Sequence, residues 1–235
     1  MSISTTPPPA PPKKRGLGCL GCGCLVLVLL VILFLGLIAG ACYFGYEKIV
    51  SLTSTTPSAV PSFDGGDELY ASARQKLADF DHDVENHQAA TIQLSADEIN
   101  TLLARSSNVI KNNIHAFVTL ANNEARIQAS LPTDALSHGI LNDHYVNLDT
   151  SFEVHFDLQT KSANLTFHAL QFGNKVFMGQ NASNSSLSQS ATIWYASIFN
   201  QSFNNGIRQN PDGAALLDQA KSIEIQNGEL VIETQ

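Results

Sequence analysis

Cysteine is missing from the last four-fifths of this 235-residue chain. All four cysteines lie at or before position 42. Whatever folds beyond them has no internal disulfide and rests on its apolar core, which a domain of that size can supply. Acidic residues are missing from the first 46 positions, and charge of either sign is missing from residues 16–46. The signatures of chemistry are missing as well. There is no HExxH metal-protease helix and no glycine-rich phosphate loop, and no Gly-x-Ser-x-Gly nucleophile elbow. No Cys follows Cys42 to act as a nucleophile outside. Glu153 and Asp157 are the nearest thing to a carboxylate pair, and on an exposed strand face they read as solubilising groups. The sequence calls for no cofactor and no metal, and a non-enzyme is expected.

What is present begins with residues 16–46, GLGCLGCGCLVLVLLVILFLGLIAGACYFGY. A membrane-crossing helix needs about 20 apolar residues, and helix is the form that satisfies its own backbone there. Lys13, Lys14 and Arg15 precede the run, whereas Glu47 and Lys48 after it cancel. Positive charge favours the cytoplasmic side, so the N-terminus is placed inside and the bulk of the chain outside. Tyr43, Phe44 and Tyr46 suit the outer interface. Two alternatives were weighed. A cleaved signal peptide has a shorter apolar core, about 7–15 residues. A lipoprotein would use Ala39-Gly40-Ala41-Cys42, which lacks the large apolar residue that opens such a box. Cys19, Cys22 and Cys24 are spaced like metal ligands or acylation sites, but they read as small residues among glycines in a membrane helix.

The expected organisation is a disordered Pro-rich basic cytoplasmic tail (1–15), a transmembrane helix (16–46), a Ser/Thr/Pro linker (47–66) and an extracytoplasmic domain (67–235). All 21 acidic residues but only ten of the 13 basic ones follow residue 46, a formal net charge of −11. Such a domain repels nucleic acid, which is excluded as a partner.

Within the domain the hydrophobic period changes along the chain. Leu69, Ala73, Leu77, Phe80 and Val84 form one helical stripe from Asp67 to near Gln88. Thr91–Leu94 reads as an extended link. Ser95 and Glu98 make a capping box for a short helix with Ile99, Leu102 and Leu103 buried. Ile114–Leu120 and Ala125–Leu131 alternate about Asn122-Asn123 and predict a hairpin. Tyr145–Gln159 predicts a long strand with one dry and one wet face, followed by a turn at 160–162 and a strand over 164–172. Gly173–Ser186 reads as irregular. Leu187–Ile207 predicts a helix broken by Pro211-Asp212-Gly213, then a short helix from Ala214 and a hairpin about Asn227-Gly228. The fold class is α+β: an antiparallel sheet covered by amphipathic helices.

One candidate site follows. Val146, Leu148, Phe152, Val154, Phe156 and Leu158, with Leu165 and Phe167 beside them, give an apolar strand face. It is either ordinary core or a groove for an acyl chain or other hydrophobic ligand. His82 and His87 point apart on their helix, and His138 and His144 fall in a loop. His155 and His168 fall on the polar faces of neighbouring strands; all read as surface histidines. Asn164, Asn181, Asn184 and Asn200 satisfy the N-glycosylation pattern.

Leu94-Ser-Ala-Asp-Glu-Ile-Asn-Thr-Leu-Leu103, Tyr145-Val146-Asn147 and the closing Ile225–Ile232 hairpin resemble the YpmS-like family of bacterial single-pass membrane proteins. The resemblance implies an envelope protein of unknown activity and supplies no catalytic residues. The expected function is binding or assembly at the cell membrane by an anchored domain, with lipid or another envelope protein as partner. The alternative is a lipid or hydrophobic-ligand carrier.

Overall fold

The computed structural model describes residues 50, 52–134, 143–178 and 189–235, with side chains between 189 and 199 described only at Ser197. The tail, the 16–46 span with its four cysteines, the start of the linker, His138, Asn181 and Asn184 lie outside the described residues. Among the described residues no helix is long and apolar enough to cross a membrane.

The described elements run α1 (Gly66–Glu85), β1 (Thr91–Ser95), α2 (Ala96–Ala104), α3 (Ser107–Lys111), β2 (His115–Ala121), β3 (Glu124–Pro132), β4 (Tyr145–Asp157), β5 (Ser162–Phe172), β6 (Lys175–Met178), α4 (Gln189–Gln209), α5 (Pro211–Gln219), β7 (Ala220–Gln226) and β8 (Glu229–Thr234). The fold is α+β with two antiparallel sheets. One has five strands in the order β2-β3-β4-β5-β6, and the other has three in the order β1-β8-β7.

The large sheet is a run of hairpins whose turns carry residues able to take positive φ. Asn122 joins β2 to β3 at φ 55°, and Lys161 precedes β5 at φ 49°. Asn is at home in that region; Lys is there at some cost. The alternation places apolar side chains in rows across the strands. Leu120, Ala125, Phe152 and Phe167 make one row; Ala116, Ala129, Leu148 and Phe172 make another. Between these rows the apolar phase of β5 slips from odd positions (Ala163, Leu165, Phe167) to even ones (Leu170, Phe172). An unbroken strand would turn one of these sets to water. The ladder absorbs the slip with a bulge: Ser151 faces Ala169 while Phe152 faces Phe167, leaving His168 as the extra residue. The buried Thr150 hydroxyl donates to the Ala169 carbonyl there at 2.9 Å.

The small sheet brings Ile92, Leu94, Ile223, Ile225, Leu230 and Ile232 onto one face by the same logic. This face, the dry face of the large sheet and the buried stripes of the helices join one hydrophobic cluster. The α1 stripe is Ala73, Leu77, Phe80 and Val84, as its spacing predicts. Helix α2 is buried from Glu98 to Leu103. Its capping box is complete: the Ser95 amide donates to Glu98 at 2.9 Å and the Glu98 amide to the Ser95 hydroxyl at 3.2 Å. Burial pushes the Glu98 carboxyl up. Bonds from Lys76, at 2.7 Å, and from Ser95 outweigh it and hold the group below the usual glutamate range.

Several details depart from the sequence expectations. Thr91–Leu94 is a strand, because β8 supplies the hydrogen-bond partners that a local pattern cannot reveal. Lys175–Met178 pairs with β5 instead of being irregular, after a turn at Gly173 with φ 55°. Pro211-Asp212-Gly213 opens a helix instead of only breaking one. Pro occupies the first helical turn, where its missing N–H costs nothing, and Asn210 accepts from the Asp212 amide. Gly213 is needed there because a Cβ would lie 2.5 Å from the Ile207 carbonyl oxygen.

Candidate functional site

The eight residues of the apolar strand face do not share one environment. Leu148, Phe152 and Leu165 are buried in the core. Val146, Val154, Phe156 and Phe167 are partly buried and packed against it. Leu158 lies past the end of β4 and is 51% exposed. The sheet brings two pairs of them together across strands, Phe152 with Phe167 and Val154 with Leu165. The Phe152 and Phe167 rings sit 5.7 Å apart, tilted by 59°, a favourable edge-biased contact. Val146 is separated from these pairs and faces Leu131 of β3 instead. The Lys161 ammonium stands 6.0 Å from the centre of the Phe156 ring, near the exposed end. Ala163, Leu170 and Phe172 belong to the same dry face and are buried. The phase slip in β5 was the sequence signal that pointed to Leu170 and Phe172.

The wet face of the large sheet carries a row of polar groups. Arg126 grips Asp149 with two bonds of 2.9 and 2.7 Å. That bond holds the Asp149 carboxyl below its usual range against the opposing push of burial. Glu153 reaches both histidines named from the sequence: His155 Nε2 at 3.3 Å and His168 Nε2 at 3.4 Å. The bulge brings His168 to that position. All three groups are at least one-third exposed. Among the described residues no three His, Cys, Asp or Glu side chains are arranged to hold a metal ion.

Three asparagines do work that sequence reasoning missed. Asn100 of α2 donates to the Val118 carbonyl and accepts from its amide, both at 2.8 Å. Asn204 of α4 treats Ala163 the same way at 2.7 and 2.9 Å, and Asn200 does so for Leu165 at 3.0 and 2.6 Å. Each amide thus stands in for a neighbouring strand on an open edge. The fit has a simple cause: four residues of helix advance about 6 Å, and two residues of strand about 6.6 Å. Asn200, read from the sequence as a glycosylation acceptor, has its side chain committed to β5. Asn164 is exposed on the opposite face.

The residues before α1, expected as a linker, are tied to the domain. Ser54 and Tyr145 exchange backbone bonds of 2.8 and 2.7 Å. Asn147 accepts from the Ser58 amide at 3.0 Å and donates to the Thr56 carbonyl at 3.0 Å. Gly65 donates to the buried Thr101 hydroxyl at 3.0 Å, and Arg105 pairs with Asp64 at 3.0 Å. Those tethers give the family-like segment 94–103 a structural reading: Leu94, Ile99, Leu102 and Leu103 are core, Ser95 and Glu98 cap, Asn100 closes an edge and Thr101 holds the strap.

Compared with protein-family models, with curated proteins and with solved structures, the chain finds no match in any of the three.

Proposed function

We propose that this chain is a single-pass membrane protein, N-terminus cytoplasmic, whose outer α+β domain acts by binding or assembly with another envelope component and not by catalysis. The uncharged run over 16–46 and the basic residues before it support the anchor. The observation that carries the binding reading is the burial of Leu148, Phe152 and Leu165 by the protein's own side chains. A carrier would need that central stretch open for its ligand. The broad surface left to partners is the polar side of the large sheet, with Thr119, Arg126, Glu153, His155, Asn164, Thr166 and His168. The carrier remains the second reading because Val154, Phe156 and Phe167 are only partly buried and Leu158 is exposed.

The anchor is tested in sealed, right-side-out vesicles holding the full chain. Alkaline carbonate should leave the protein in the membrane pellet. A membrane-impermeant amine reagent should label the exposed Lys111, Lys175 and Lys221, and reach Lys13 and Lys14 only after the vesicles are opened. Release by carbonate, or equal labelling of both sets before opening, would sink the anchor and its orientation.

A further inference from the structure

We infer that the outer domain stands on the bilayer by one end of its large sheet, the end holding Tyr145, His144 and the β5–β6 turn, so that the lipid headgroups around the protein's own span are a partner surface. This rests on the membrane anchor proposed above and adds an orientation to it.

Covalent reach sets the limit. Three residues separate Tyr46, the last of the proposed span, from Val50. Neighbouring Cα atoms are about 3.8 Å apart, so that stretch covers no more than about 15 Å. Val50 to Thr53 is a closed turn: the Thr53 amide and hydroxyl both donate to the Val50 carbonyl, at 3.1 and 2.9 Å. Such a turn holds its ends within about 7 Å. The next residue, Ser54, is bonded in both directions to Tyr145. Tyr145 therefore lies within about 25 Å of the end of the span, part of which the headgroup layer itself fills.

The other end of the same strand is far away by comparison. β4 continues for 13 residues to Asp157, about 40 Å at ~3.3 Å per residue. The chain is then fixed again: Ser58 to Asn147, Gly65 to Thr101 and Asp64 to Arg105. The slack that a free Ser/Thr/Pro linker would allow is taken up by these bonds. Charge favours the upright pose, because a domain of net charge −11 is repelled when laid along anionic headgroups. The near end itself is mixed in charge, with Asp143 and Lys175 exposed beside Asn174.

The test uses the full chain in liposomes, with its four cysteines replaced by serine and one cysteine added for a fluorescent donor. Asn174→Cys marks the near end and Gln159→Cys the far end; both positions are exposed. Energy transfer to acceptor-labelled headgroups should be several-fold more efficient from position 174 than from 159. Ser54→Pro removes the amide that donates to Tyr145 and should narrow that gap without changing thermal melting. Equal transfer from both positions, in protein that resists carbonate, would overturn the orientation while leaving the anchor intact. A gap undiminished in Ser54→Pro would overturn the role given to the strap. Protein that carbonate releases would remove the anchor, and the orientation with it.

Discussion

Phe152→Ala is expected to cost the outer domain about 3–5 kcal/mol, the range for emptying a buried aromatic site. Domains of this kind are stable by only about 5–15 kcal/mol, so the variant should be partly or largely unfolded at body temperature. Phe152 is 2% exposed. It packs between Ala125 and Phe167 in its row, and neither neighbour is long enough to refill the space of a lost ring. Leu158→Ser, at a half-exposed position, should stay within about 0.5 kcal/mol of the parent. A circular-dichroism melt of the full chain in detergent separates the two. The alanine variant should fall by about 6–20 °C, at roughly 2–4 °C per kcal/mol, and the serine variant by little. A folded, normally melting Phe152→Ala that had merely lost a bound lipid would favour the carrier.

Asn100→Ala should be the costliest polar change. Asn100 is 2% exposed and holds both backbone groups of Val118, which is also buried. Truncation leaves an amide and a carbonyl with no partner where water has little access. At about 1–3 kcal/mol for each unsatisfied group, the loss is about 2–5 kcal/mol. Asn100→Asp retains an acceptor for the Val118 amide but sets a carboxylate oxygen against the Val118 carbonyl, so it should rescue little. Asn200→Ala and Asn204→Ala should each cost less, because both asparagines are only half-buried and water can take their place. Their combination exposes the β5 edge from Ala163 to Leu165, and self-association of the doubly substituted chain is the expected sign. Urea titration gives the stability losses and analytical ultracentrifugation the association. An Asn100→Ala chain as stable as the parent would contradict the edge-capping role.

How much of this was legible in the sequence depended on how local each cause was. The capping box at Ser95 and Glu98, the α1 stripe and the Asn122 and Asn227-Gly228 turns are set by neighbours a few residues apart. They could be read directly. The partner of Thr91–Ser95 lies at the other end of the chain, so no local pattern distinguishes that strand from a link. Lys175–Met178 is four residues long and has no alternation to betray it. Asn200, Phe203, Asn204 and Ile207 do share one helical stripe. Two polar residues among apolar ones on a buried face were a readable sign of a buried hydrogen-bonding task, although the target strand was not readable. The apolar face of β4 and β5 was correctly grouped as a pattern. Which of its members the rest of the chain would cover depended on the small sheet and on helix packing.

The distinction between a filled core and an open groove is the centre of this account, and native mass spectrometry tests it most directly. The full chain would be taken from its membranes in mild detergent, without delipidation, and activated until loosely attached lipids are shed. The account predicts the mass of the bare chain, alone or with a protein partner. One acyl lipid retained per chain, and lost on substituting Phe156 with serine, would contradict it and make the Val154, Phe156 and Phe167 end of the sheet a ligand site.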